Sequence, residues 1–381
     1  MNSSNPIFIV GSSRSGTTLL AAMLNAHPNI ACGPESQLLK KLKPQTLKNI
    51  LNDPSWPSKA VRALSEIEIA KTPIISAFDI TPKELEQCLS ERPAEISSLF
   101  EAIAGVYAKK RGKPRWAEKT PRHLLYLPTI RKAFPNAQII RIVRDPRDSA
   151  LSMRKLPWSS NEYLPNLYLW CEWYEASDDF FKHDKHSTTI SYEALVESPE
   201  ENMRALCTFI GEEFAPSMLN TTTSADSVRT SNETWKQQVS GPLDIGRLYR
   251  WKTELSKEEK IISDGICEKW LKKFHYPHTE RTLHAHPSFG LTSQSLENNS
   301  AFLQKSALGG EIFVPYCKNR ELPGFFFVSD KEISNPARYF SLARKILASR
   351  SVKKQITIKY DASSKYRLRK NLLRFLAMEM H

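Results

Sequence analysis

Ile7-Phe8-Ile9-Val10-Gly11-Ser12-Ser13-Arg14-Ser15-Gly16-Thr17-Thr18-Leu19-Leu20 decides the fold: an apolar run opens through a glycine-bounded turn into a helix start. Four consecutive apolar residues, Ile7 to Val10, predict a strand covered on both faces. The free N–H groups of the first helical turn, with the helix dipole behind them, form an anion site that needs no side chain. The Gly11–Gly16 spacing fits a Walker-type loop, G-x-x-x-x-G-K-[ST], except that Thr17 stands where the lysine belongs. A nucleoside triphosphate enzyme uses that lysine on its β- and γ-phosphates. Here the cation of the loop is Arg14, which suits a phosphate or phosphosulfate better than ATP or GTP.

Downstream, Ala137 to Lys155 (AQIIRIVRDPRDSALSMRK) repeats the design: an apolar strand ends in Arg144, passes a proline turn and enters a helix that carries Ser152. A guanidinium binds phosphate through paired hydrogen bonds, and the serine hydroxyl is a second donor. Strand-like runs at 115–118 and 188–191, each leading into a helix-like stretch, complete an alternation that implies parallel strands and crossover helices. The expected fold class is α/β, a P-loop-type parallel sheet flanked by helices. Helical patterning at 35–51, 58–70, 81–89 and 93–109 places a helical insert between the first strand unit and the next. The aromatic-rich segment 164–182 reads as a helix whose aromatics serve the core.

The ordered pair of loops resembles the sulfotransferases that use 3′-phosphoadenosine 5′-phosphosulfate (PAPS), most closely the branch of the tyrosylprotein and bacterial carbohydrate enzymes. The resemblance covers about residues 5 to 277. It implies that Ser13, Arg14, Ser15, Gly16, Thr17 and Thr18 hold the 5′-phosphosulfate, and that Arg144 and Ser152 hold the 3′-phosphate. Tyr192, in Ile-Ser-Tyr-Glu, resembles a tyrosine near the adenosine. In Ala31-Cys32-Gly33-Pro34-Glu35 the glutamate stands where the tyrosylprotein enzymes have their catalytic base, and Lys119, in Trp-Ala-Glu-Lys-Thr-Pro, where a lysine contacts the transferring sulfuryl group. His123, four residues on, is the rival base. Arg250, before Trp251, resembles the basic residue of the C-terminal cofactor segment. A serine expected before the Gln238-Val239 pair is replaced by Trp235 and Lys236.

Outside that stretch the chain changes character. Of its 381 residues, 1–277 are expected to form the sulfotransferase domain, 278–300 a polar linker, and 301–381 a small C-terminal α+β appendage with strands at 311–314, 324–328 and 355–359. The net charge is +13, and between Ser341 and His381 eleven Lys or Arg stand against Asp361 and Glu379. That charge reads either as a solvated basic surface or as a patch for an anionic partner, the candidate being peripheral contact with an anionic membrane, with no specific nucleic acid partner expected. No apolar run approaches a membrane span, and the first strand begins so early that no signal peptide fits. With six dispersed cysteines and no zinc spacing, the expectation is a cytoplasmic enzyme that needs no metal. The acceptor expected is a small molecule or glycan: the hydroxyl of a carbohydrate, glycolipid or secondary metabolite. Two alternatives stand beside it. A P-loop nucleotide kinase predicts lysine at position 17 and a magnesium-binding acid after a strand. A non-enzymatic nucleotide-fold module would need neither Glu35 nor Lys119.

Overall fold

The computed structural model describes residues 5–156, 159, 163–222, 224–236, 241, 244–279, 311–318 and 322–329. Five parallel strands form the central sheet: β1 (Ile7–Gly11), β2 (Ile30–Cys32), β3 (Arg115–Lys119), β4 (Gln138–Val143) and β5 (Ser187–Ser191), in spatial order β2-β3-β1-β4-β5. Ile9 lies opposite Lys119, Gly11 opposite Ile142, and Val143 opposite Ser191. The strand order reverses at β1, and ligands of open α/β sheets bind at such a switch point, outside the carboxyl ends of the strands.

Alternation along β1 explains why both faces are covered. Phe8 and Val10 face the helical insert, and Ile7 and Ile9 face the helix Thr17–Asn25 and the helix Pro199–Ile210. On the insert side Phe8 meets Phe100, Trp116 and Phe134 at ring-centroid distances of 5.4, 5.5 and 5.4 Å. Such pairs add about 0.5–1.5 kcal/mol each beyond their burial. The helix expected over 35–51 is broken in two, Leu38–Lys41 and Pro44–Leu51, because Pro44 can only begin a helix. The stretch 58–70 stops as a helix at Ser65, where Glu68–Ile69 and Thr72–Pro73 form a small antiparallel hairpin. Thr81 and Glu84 cap the helix Pro82–Ser90 reciprocally. In the long helix Tyr163–His183, Trp170 and Tyr174 are buried and stacked at 3.9 Å, as core aromatics.

The chain divides into two compact units, 1–254 and 255–381. In the second, a capping box of Ser256 and Glu259 starts the helix Lys257–Lys273, and strands Glu311–Lys318 and Leu322–Ser329 pair antiparallel with Phe313 opposite Phe327. The strand expected at 355–359, most of the linker and the basic tail lie outside the described residues.

Gly16 shows how tightly the turn is built. Its φ is +97°, and a Cβ there would lie 2.2 Å from the Tyr192 ring. Gly16→Ala therefore combines backbone strain with displacement of a packed ring, and is expected to lower stability by about 2–3 kcal/mol. Denaturant unfolding checks this, and the loss should shrink when Tyr192 is also shortened.

Candidate active site

Every strand of the sheet hands a side chain or a loop to the same end. β1 delivers the loop Ser12–Gly16. Inside it, Ser15 folds inward: its hydroxyl donates to the Ser12 carbonyl at 2.5 Å, and its N–H reaches the same oxygen at 3.3 Å. Arg14 takes a left-handed conformation (φ 66°), which swings its guanidinium across the carboxyl ends. Nε donates to Ser152 Oγ at 3.0 Å and Nη1 to the Trp235 carbonyl at 3.1 Å. The helix that follows has no side-chain cap at Gly16, so its first amides stay open for an anion. Thr17 is buried, while Ser13 and Thr18 are half-buried at the mouth of the loop.

β4 delivers Arg144. Its guanidinium lies 4.6 Å from the centre of the Tyr192 ring, donates to the carbonyls of Arg14 (3.3 Å) and Arg247 (2.7 Å), and stands 3.6 Å from Asp148. Its Nε is buried without a hydrogen-bond partner. Burial, and then the charges of Arg144 and Arg247, bring Arg14 down to about 10. Guanidiniums gathered this closely, with an unbonded donor and open amides beside them, fit the two phosphate ends of a PAPS-like nucleotide. The turn itself is fixed by Asp145 and Arg147, both fully buried. Arg147 donates to Asp145 at 3.0 and 2.8 Å and stacks over Trp251 at 3.5 Å. The Asp145 N–H is held by Glu193 at 2.9 Å, and Asp148 accepts the Trp251 N–H at 2.9 Å.

β2 and β3 deliver the second half of the site. Glu35 Oε1 accepts from Lys119 Nζ at 3.1 Å and from Lys236 Nζ at 2.6 Å, while Gln37 donates to Oε2 at 3.2 Å. Lys236 also contacts Glu233 at 2.5 Å. Burial opposes ionisation of Glu35, but Lys119 and Lys236 outweigh it and hold the carboxyl well below the usual range. Burial likewise works against Lys119, yet Glu35 and Glu233 raise it. Lys236 is lowered, by burial first and by Lys119 among its neighbours. Beyond Glu35, Lys40 donates to Gln37 at 3.2 Å, and its ammonium is lowered by burial and by the charge of Arg122.

His123 and Arg250 have carboxylate partners of their own. His123 is fully buried: Nδ1 meets Glu118 at 2.8 Å, and the ring packs edge-on against Phe100 at 5.8 Å. Glu118 also accepts from the hydroxyls of Ser36 and Thr120, at 2.6 Å each. His123 therefore braces the segment next to Glu35 and Lys119, with its Nδ1 engaged by the Glu118 carboxylate. Arg250 pairs with Glu254 at 2.5 and 2.8 Å and Arg247 with Asp244 at 2.9 Å, each a carboxylate about one turn away; both charges still act on Arg14, and the Arg247 carbonyl accepts from Arg144. Sequence spacing gave no signal for Lys236 or Arg247. Glu118 lies in Arg115-Trp116-Ala117-Glu118-Lys119, a strand buried along its whole length, where charge is placed only with partners.

Residues 6–216 match the profile described as the sulfotransferase family. The chain belongs to that family. Protein-tyrosine sulfotransferase 1 of Rattus norvegicus is 30% identical, over 81% of this chain and 77% of the relative. The Danio rerio protein of the same name is 26% identical, over 79% of each chain. Mouse sulfotransferase SULT7A1, solved in complex with PAP, covers 79% of this chain and 90% of its own at a TM-score of 0.40 and 16% identity. By that family membership the protein is a PAPS-dependent sulfotransferase, and its five-stranded parallel sheet is of the P-loop type. The expected cytoplasmic location does not stand, because the relatives reported above are protein-tyrosine sulfotransferases. Among the described residues no helix is long and apolar enough to cross a membrane, which assigns no compartment.

Proposed function

We propose that this sulfotransferase binds PAPS along the carboxyl ends of β1 and β4 and moves the sulfuryl group to a tyrosine hydroxyl that Glu35 deprotonates. The observation that carries the donor site is the gathering of Arg144 and Arg247 around Arg14, which itself donates to Ser152, with the Arg144 Nε unbonded. In this reading Arg144 and Ser152 take the 3′-phosphate, and Arg14 with the amides of Gly16, Thr17 and Thr18 takes the 5′-phosphosulfate. Tyr192 flanks the adenosine, and Lys119 donates to the sulfuryl group. The S–O bond to the phosphate breaks with its electron pair on the phosphate oxygen, which becomes PAP. A new S–O bond forms to the acceptor oxygen, whose proton passes to Glu35. Preorganised cations at the departing oxygen supply most of the stabilisation, and no step calls for a metal.

The tyrosine acceptor is favoured by the names of the relatives and by the basic rim of Lys40 and Arg122 near Glu35. Neither a glycan acceptor nor membrane contact through the basic tail finds support in those relatives. Calorimetric titration tests the donor site: PAP without metal is expected to bind with a Kd of about 1–10 μM, and ATP with Mg²⁺ not at all. Preference for ATP would sink the reading. Label transfer from [³⁵S]PAPS tests the acceptor: a tyrosine peptide flanked by acidic residues should be labelled in preference to a free phenol or a sugar.

A further inference from the structure

Lys236 is a buried ammonium between two carboxylates, 2.6 Å from Glu35 and 2.5 Å from Glu233. The residue before it is tied to the phosphate loop, since the Trp235 carbonyl accepts from Arg14 Nη1 at 3.1 Å. Lys236 therefore stands between the loop and Glu35. Glu233 is held in turn by the Thr230 N–H at 3.0 Å, and its own carbonyl accepts the Lys236 N–H at 2.9 Å. Both lysines that reach Glu35 use the same oxygen, Oε1. A carboxylate gripped by two ammoniums is poorly placed to take a proton, so one of them has to let go before Glu35 acts. Lys119 has Glu35 as its ion-pair partner at 3.1 Å, whereas Lys236 has Glu233 as well. Lys236 is the cation that can leave Glu35 without leaving a buried charge unpaired.

We propose that Lys236 is a second sulfuryl-binding cation: when PAPS binds, its ammonium, still carried by Glu233, exchanges Glu35 for a sulfuryl oxygen and frees that carboxylate to accept the acceptor's proton. An ammonium has three donors, enough for Glu233 and a sulfuryl oxygen together. The proposal rests on the donor-site reading above. It adds one residue to the chemistry: Lys236 stabilises the sulfuryl oxygens while the S–O bond to PAP breaks, and Glu35 holds the proton released as the new S–O bond forms.

The experiment compares the affinities of PAPS and PAP by calorimetry without acceptor, for the wild type, Lys236→Met, Lys236→Arg and the double variant Glu233→Gln/Lys236→Met. A charge-assisted hydrogen bond to the sulfuryl group predicts that Lys236→Met weakens PAPS about tenfold or more and PAP by less than about twofold. Lys236→Arg should keep most of the preference. The double variant removes the ion pair together, so it carries the test if Lys236→Met alone fails to fold, and it predicts the same selective loss. Equal weakening of PAPS and PAP, or no weakening of either, overturns the proposal. Loss of PAP binding in the wild type would instead overturn the donor site.

Discussion

Replacing Glu35 by glutamine is expected to lower kcat by about 10²–10⁴-fold while PAP affinity stays within about threefold. The amide keeps the shape and a hydrogen-bond acceptor for Lys119 but cannot take a proton, so only the step that needs a base fails. A mainly structural Glu35 would reverse the pattern, with unfolding at lower denaturant and turnover per folded molecule unchanged. The pH dependence gives a second readout. The folded value lies below the ordinary 4.5, because Lys119 and Lys236 outweigh burial. The ion pair's contribution to stability is therefore fully present above that unfolded value and is lost as pH falls through the lower folded one. Wild type should lose stability in this acid window, and the glutamine variant should lose less there. Release of Lys236 on donor binding would raise the basicity of Glu35 toward the working range. The acid limb of kcat should then lie higher than that of free-enzyme stability.

The sheet was legible because its strands are short apolar runs followed by turn chemistry: Ile7–Val10 before Gly11, and Ile139–Val143 before Arg144-Asp145-Pro146. Once those strands are parallel, the residues just past their ends must converge, which is why the loops of Arg14 and Arg144 could be paired from order, while Glu35 and Lys119 came from the resemblance to the tyrosylprotein enzymes. What stayed hidden depends on contacts between segments distant in sequence. Lys236 meets Glu35 across 201 residues of chain, and nothing in Asn232-Glu233-Thr234-Trp235-Lys236 marks that partner. His123 read as a base because it follows Lys119, but the buried Glu118 carboxylate claims its ring. Arg250 read as a phosphate contact from its place before Trp251; its pairing with Glu254 at the i+4 position and its charge on Arg14 are contacts that this place did not announce.

Arg144→Ala is expected to weaken PAP binding by about 10²-fold, the largest effect on donor affinity of any single substitution here. The removed group sits over Tyr192, reaches the Arg14 and Arg247 carbonyls, and presents an unbonded Nε. Its loss strips a paired guanidinium–phosphate contact and loosens the backbone of two neighbouring cations. Part of the effect is structural, since Asp148 loses a charge partner at 3.6 Å. A ligand comparison separates the two contributions. Adenosine 5′-phosphosulfate lacks the 3′-phosphate, so a residue that grips that phosphate should not matter to it. In the alanine variant its affinity should hold within about threefold while that of PAPS collapses, leaving the two donors equally weak. Arg144→Lys, with the charge but without the planar fork, should fall between. If both nucleotides weaken together, Arg144 builds the site but does not read the 3′-phosphate, and that contact passes to Arg14 or Arg247.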